Sequence, residues 1–389
     1  MSSHMDEVII AGVGQIPVGE HWELSLRDIA ARAMLAAIKD SGGLKPQAIY
    51  AGNYLASVAS KQANLGALMA ECIGMQGVEA FTAEAGEASG AAALHLAVRA
   101  IHSGYVDTVL VIGVEKYTDV VGAEMESIIT QSADYDFEGM QGLSIAGIAA
   151  MVMQRYLHEY RAPRDAFAAF PILAHANAMH NPNAIFRRVI TEQEYQKAGL
   201  VSDPLNMLDA APYADGAAAI LLTRRELLPK DFPHPLIKVS ASNLVTDTIS
   251  LHDRPNPLGF DAVHLSVERA FQQAGIDRER VDLFEYWDAF SIYAVLCLEA
   301  AGYAEPGTGW KLGQDGSLGL KGRLPVTTMG GLKARGFPLG AAGVYQAVDA
   351  VAQLRSQAGE NQVQGARVAL VQSLGGPAST AVTHILQTI

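Results

Sequence analysis

A chain of 389 residues, half of them hydrophobic and 18% charged, is long enough to bury more than one domain's worth of core. Its formal charge of −13 leaves no basic surface to hold a phosphate backbone, which excludes nucleic acid as a partner. Its two cysteines, Cys72 and Cys297, have no metal-ligand spacing, which excludes a disulfide framework and a zinc site and fits a reducing cytoplasm.

The first four residues, Met1-Ser2-Ser3-His4, read as an expression scar ahead of Met5. No apolar run reaches the roughly 18 residues needed to span a bilayer. Val8 to Val18 reads as a strand entering a Gly/Pro turn, Ser25 to Ser41 as a helix closed by Gly42-Gly43, and Ile49 to Ala51 as a short strand. Phe81 to Tyr117 then reads as a tight turn holding Glu87, a small-residue helix from Ser89 packed on all sides, and a buried strand from Thr108. A residue at the start of such a helix sees unpaired N–H groups and the positive end of the helix dipole, a place to hold a reactive anion.

Thr118 to Pro212 lacks clean strand alternation and is rich in Met, Tyr, His and Asn. Gly147 to Tyr160 and Pro163 to His180 read as helices within it, and His180 to Arg188 as a loop. Long excursions between regular elements serve as lids or binding loops, so the substrate approach is expected here. Ala217 to Thr223 reads as a short, edge-like strand. A second copy of the early order begins at Ile237 with a strand, a helix over Ala262 to Ala274 and a strand over Val281 to Tyr286. A helix from Leu339 to Ala358 and the strand ARVALVQSLGG complete it. The expected halves, 5–230 with an insertion at 118–212 and 231–389, thus alternate strands and helices, which predicts parallel sheets covered by helices.

Five stretches carry a family resemblance: SGAAALHLAVRAIHSGYVDTVLVIGVEK, AHANAMHNPNAIFRRVIT, DPLNMLDAAPYADGAAAILL, EYWDAFSIYAVLCLEAAGY and GGLKARGFPLGAAGVYQAVD. Together they cover nearly the whole chain in a pattern that resembles the thiolase superfamily, in particular its sterol-carrier-protein-x and lipid-transfer-protein-like branch. The resemblance implies duplicated βαβαβαββ halves in a five-layered α/β/α/β/α sandwich, a homodimer and a coenzyme A thioester as substrate or ligand.

At the positions where the family carries its chemistry, this sequence differs. Glu87 stands where the family's nucleophilic Cys precedes Ser-Gly, and Phe337 where a His lies in Gly-His-Pro. Trp287 stands where a His or Asn precedes Asp-Ala-Phe, and Ser373 with Gly375-Gly376 falls in the C-terminal catalytic region. Thiolytic chemistry needs a thiolate and a His to lower its pKa, and none of these residues supplies either.

Glu87 reads as a general acid or base, or as a plain helix cap; Trp287 and Phe337 read as a more apolar pocket, or as core. Tyr345 and Tyr286 could donate a phenolic hydrogen bond, and the Gly375-Gly376 backbone could hold an oxyanion. His175, His180, Asn177 and Asn181 match the family's loop beside the substrate. Glu115 and Lys116 are expected to pair with each other or across a dimer. The HNPN and HDRPN stretches lack metal-ligand spacing, and no metal is expected.

The expected activity is carbon–carbon bond cleavage or formation on an acyl-CoA thioester, such as a retro-aldol or decarboxylation step, without a Cys-bound intermediate. The alternative is a non-catalytic acyl-CoA-binding or assembly subunit. By resemblance to cysteine-free aldolases of the branch, an OB-fold/zinc-ribbon protein is a possible partner.

Overall fold

A computed structural model describes residues 7–389, so Met1 to His4 lie outside the described residues. The first half runs β1 (Val8–Gln15), α1 (Leu26–Asp40), β2 (Ala48–Gly52), α2 (Leu65–Cys72), β3 (Glu79–Ala83), α3 (Ser89–His102) and β4 (Thr108–Glu115). An excursion follows with α4 (Ala123–Ile129), α5 (Ile145–Tyr160), α6 (Ala169–Ala178), α7 (Glu192–Lys197) and a small hairpin of β5 (Leu200–Ser202) and β6 (Leu205–Asn206). After β7 (Gly216–Arg224) the second half runs β8 (Ile237–Thr246), α8 (Asp261–Ala274), β9 (Leu283–Glu285), α9 (Ser291–Ala300), α10 (Lys311–Gln314), α11 (Gly331–Arg335), α12 (Ala342–Leu354), β10 (Val368–Gly375) and β11 (Thr380–Thr388).

Local chemistry explains several boundaries. Ser25 caps α1 by accepting from Asp28 N–H while Asp28 reaches back to the Ser25 N–H, a reciprocal capping box, and Ile29, Ala30, Ala33, Met34 and Ala37 recur at helical spacing on the buried face. In β4, Val109 and Val111 face one core and Leu110, Ile112 and Val114 the other, the period-two alternation of a strand covered on both sides.

The strands form one sheet in the order β3-β2-β4-β7-β1-β8-β11-β10-β9. Its two halves meet at a single rung, Ile9 opposite Lys238. The sheet turns over on itself there, because α3 packs on β2 and β4 and also on β8 and β11, while α12 packs on β9 and β10 and also on β4 and β7. The layers are therefore α1 with α2, the first half-sheet, α3 with α12, the second half-sheet, and α8 with α9. These are the five layers that the resemblance implies. The second half has one strand fewer; a lone parallel bridge from Phe284 to Val326 stands at its edge.

Several expectations need correction. The segment expected at a sheet edge, Ala217 to Thr223, is β7, paired with β4 on one side and β1 on the other, because its unbroken apolar run can be buried on both faces. Helix α3 leaves Leu96 and Arg99 exposed and is not enclosed on all sides. The helix expected over Pro163 to His180 is regular only over Ala169–Ala178, and that over Leu339 to Ala358 begins as a 3-10 turn and is α-helical only over Ala342–Leu354. Strands β3 and β11 were not anticipated from the sequence.

Candidate active site

Glu87 sits in the turn between β3 and α3. Gly86 is at φ 57°, and Ser89 pins the loop by donating its hydroxyl to Gly86 O (2.5 Å) and accepting from Ala85 N–H (3.0 Å). Ala88 is the helix N-cap and has no side-chain cap, so the Glu87 carboxyl does not serve as the expected cap. It turns instead toward donors from elsewhere in the chain. Ser132 donates its hydroxyl to Oε1 (2.8 Å), and Gly376 donates its backbone N–H to Oε2 (2.7 Å).

The Gly375-Gly376 pair is required by this approach. A Cβ on Gly375 would lie 2.2 Å from Ala85 O, and one on Gly376, at φ 57°, would lie 2.4 Å from Ser132 O. Only glycine lets the end of β10 reach the Glu87 turn. Glu87 is 3% exposed, and burial raises its pKa above the ordinary carboxyl value, with the Gly376 and Ser132 hydrogen bonds pulling the other way.

Three tyrosines lie within electrostatic reach of this carboxyl: Tyr54, Tyr213 and Tyr293. Burial raises all three phenols, so they stand as protonated donors at neutral pH. The Tyr54 hydroxyl is committed to Ile129 O (2.9 Å), whereas the Tyr293 hydroxyl is enclosed with no partner.

Trp287 and Phe337 meet edge to face, with ring centroids 5.4 Å apart at 81°. The Phe337 backbone is bridged to Tyr213, and its carbonyl accepts from the Tyr117 hydroxyl (2.7 Å), so the aromatic pair is anchored next to a tyrosine that feels Glu87. Such a pair presents an apolar wall.

The remaining expected residues lie elsewhere or are engaged. Ser373 donates to Gln346 Oε1 (2.6 Å), and Gln346 in turn donates to the carbonyls of Tyr286 and Gln372. The Tyr345 hydroxyl accepts from Ala217 N–H (2.9 Å) and donates to Ile16 O (2.9 Å), tying α12 to β7 and the end of β1. His175 bonds Arg188 O (3.1 Å) and stacks on Phe186, and burial lowers its pKa. Asn181 donates to Met329 O (2.8 Å), Asn177 to Val326 O and Thr327 O, and His180 faces Glu360 at 3.3 Å. Asn177 and Asn181 thus anchor the 326–329 loop, while His175 and His180 are engaged elsewhere. Only Gly375 and Gly376 of the expected binding residues adjoin Glu87.

Glu115 and Lys116 do not pair with each other. Glu115 accepts from Asn53 Nδ2, Tyr54 N–H, Leu55 N–H and Gly340 N–H, while Lys116 pairs with Asp119 (2.6 Å) and buried Asp215 (3.2 Å). Successive strand residues point to opposite faces, so neighbours in sequence cannot meet there. Among the described residues no group of three or more His, Cys, Asp or Glu is placed to hold a metal ion.

Sequence reasoning missed Ser132, Tyr293 and Arg254. Ser132 lies in the excursion with nothing to mark it. Tyr293 falls just after Asp-Ala-Phe, and Arg254 belongs to the HDRPN stretch that had been weighed only for metal binding.

Residues 8–226 match the family model for the thiolase N-terminal domain, and residues 244–388 that for the thiolase C-terminal domain-like fold. The chain belongs to the thiolase family. This thiolase-family protein is 38% identical to an acetyl-CoA acetyltransferase of Methanothermobacter thermautotrophicus, over 98% of this chain and 99% of the relative. It is 28% identical to sterol carrier protein 2 of Bos taurus, over 80% of this chain and 59% of that one. Among solved structures the Ltp2-ChsH2(DUF35) aldolase superposes with a TM-score of 0.85 at 23% identity, over 98% of both chains. At that identity the likeness speaks for the fold alone.

Proposed function

We propose that this thiolase-family protein acts on an acyl-CoA thioester by carbon–carbon bond cleavage or formation without an acyl-enzyme, with Glu87 as the proton-transfer group. The observation that carries this reading is the Glu87 carboxyl itself: enclosed, held by only two hydrogen bonds, and shifted by burial toward a stronger base. A carboxyl whose pKa moves up toward neutrality is better matched to proton transfer at physiological pH.

In a retro-aldol step the Glu87 carboxylate takes the proton of a 3-hydroxyl as the C2–C3 bond breaks. The electron pair moves into the thioester enolate, and the same carboxyl returns the proton to C2. Trp287 and Phe337 supply an apolar wall suited to a bulky ring or long acyl chain, and the Gly376 N–H, which donates to Glu87 Oε2, orients the carboxyl instead of holding an oxyanion. In this reading Glu87, Phe337 and Trp287 occupy the positions of the family's catalytic residues.

The cysteines support a mechanism without a thiolate. The Cys297 thiol is enclosed in α9 with its sulfur toward Trp287 O, Cys72 ends α2 with its sulfur toward Met69 O, and burial raises both pKa values. A thiol raised by burial is a poor nucleophile.

The same reading includes a homodimer, a cytoplasmic location and an OB-fold/zinc-ribbon partner; the solved aldolase with its DUF35 partner supports the last. The decisive experiment is turnover of 3-hydroxyacyl-CoA thioesters by wild type and Glu87→Gln. Retention of full turnover in the variant would reject the catalytic role. A second reading, an acyl-CoA-binding or assembly subunit without turnover, draws on Ser373 and Tyr345, whose hydroxyls are engaged by the scaffold. Binding of coenzyme A with no turnover across a panel of thioesters would select it.

A further inference from the structure

Behind the Gly375-Gly376 turn lies a buried arginine with one open edge. Arg254 is 6% exposed; its Nε donates to Thr248 O (2.8 Å) and its Nη1 to Pro377 O (2.7 Å), while its Nη2 is enclosed with no partner. Tyr293 is 1% exposed, held edge to face by Phe260 (5.3 Å) and Phe290 (5.4 Å), and its hydroxyl also has no partner. The two are close enough for the guanidinium charge to act on the phenol. Each enclosed donor left without an acceptor is costly, and two of them within reach of one another point to a missing acceptor.

Of the carboxylates that act on Arg254, namely Asp247, Glu138 and Asp261, none hydrogen-bonds Nη2. Asp247 approaches the Nε edge at 3.9 Å, and Glu138 accepts from the N–H groups of Leu251 (2.8 Å) and Asp134 (3.2 Å). Glu87 is occupied by Ser132 and Gly376. A planar guanidinium edge beside a phenolic O–H matches the two oxygens of a carboxylate. Arg254 Nη1 holds the carbonyl of Pro377 and the preceding residue, Gly376, holds Glu87, so adjacent residues of one turn connect the guanidinium to the carboxyl.

We propose that Arg254 Nη2 and the Tyr293 hydroxyl together bind a carboxylate carried on the acyl group of the thioester, so that the substrate is a dicarboxylic acyl-CoA. This rests on the acyl-CoA reading above and adds the class of acyl group. It commits both donors to binding the ground-state substrate and not to an oxyanion that develops during reaction.

The test is calorimetric titration of the full chain with succinyl-CoA and butyryl-CoA, which share a four-carbon acyl chain and differ in the terminal carboxylate. Succinyl-CoA binds at least tenfold more tightly, and Arg254→Met reduces its affinity to that of butyryl-CoA. Arg254→Met also loses two carbonyl contacts, so Tyr293→Phe is the second variant: it removes a hydroxyl that no protein group uses, keeps the unfolding midpoint and cuts the preference severalfold. Equal affinity for the two esters in wild type overturns the proposal, as does a Tyr293→Phe variant that weakens both equally or a preference that survives both substitutions. Failure of both esters to bind rejects the acyl-CoA reading itself.

Discussion

Two buried carboxyls, Glu87 just before α3 and Glu115 at the end of β4, are held in different ways. Glu115 is gripped by four donors, three backbone N–H groups and an Asn amide, drawn from the segment after β2 and from Gly340 before α12. Glu87 has two, one of them a rotatable hydroxyl. Burial raises the pKa of both, that of Glu115 to about 8. The shift by itself does not separate structure from chemistry; the number of donors does. A carboxyl that ties β4 to two other segments through four donors cannot change partners without loosening the fold, whereas one with two donors can exchange a proton and recover.

This contrast can be broken experimentally. The largest effect is expected from Glu87→Gln, which keeps the shape and both neighbours but removes the exchangeable proton. Turnover should fall about 10²- to 10⁴-fold with little change in the unfolding midpoint. A stability loss without loss of turnover would place Glu87 with Glu115. Next comes Glu115→Ala, which strands four donors in the interior. Chemical denaturation should show a loss of about 3–5 kcal/mol, a large part of the stability of an ordinary domain.

The pH dependence sharpens the same comparison. Glu115 rises from 4.5 to about 8 on folding, so the folded state binds the extra proton. Its stabilising contribution is fully present below about pH 4.5 and is lost as pH climbs through about 8. Glu115→Gln should flatten that part of a stability-versus-pH curve; an unchanged slope would show that the carboxyl is not the group responsible.

Smaller effects follow from the neighbours. Tyr345→Phe leaves the Ala217 N–H and the Ile16 carbonyl unpaired and should cost about 1–3 kcal/mol in stability while leaving the Michaelis constant unchanged. Ser132→Ala removes one of the two donors on Glu87, and a loss of about 1 kcal/mol of hydrogen bonding should lower turnover roughly fivefold. A Ser132→Ala enzyme with wild-type turnover would mean that the hydroxyl does not tune the carboxyl.

The alternation of strand and helix and the small-residue character of α3 are short-range signals that sufficed to read the duplicated layout, while the family resemblance was carried by five motif stretches. The placement of Glu87 in the turn that opens α3 was also legible, because the stretch around it is distinctive. The sequence could not reveal that β7 is central, since a short apolar run looks the same at an edge and in the middle of a sheet until its neighbours are known. Nor could it show that Ser373 and Tyr345 spend their hydroxyls on Gln346, Ala217 and Ile16, or that Ser132, Gly376 and Tyr293 converge beside Glu87. Hydrogen-bond partners between 45 and 289 positions apart carry no local signature. Local propensity and patterning depend on neighbours a few residues away and are written in the chain, whereas the partners of a buried polar group are fixed only when the half-sheets close over α3 and α12.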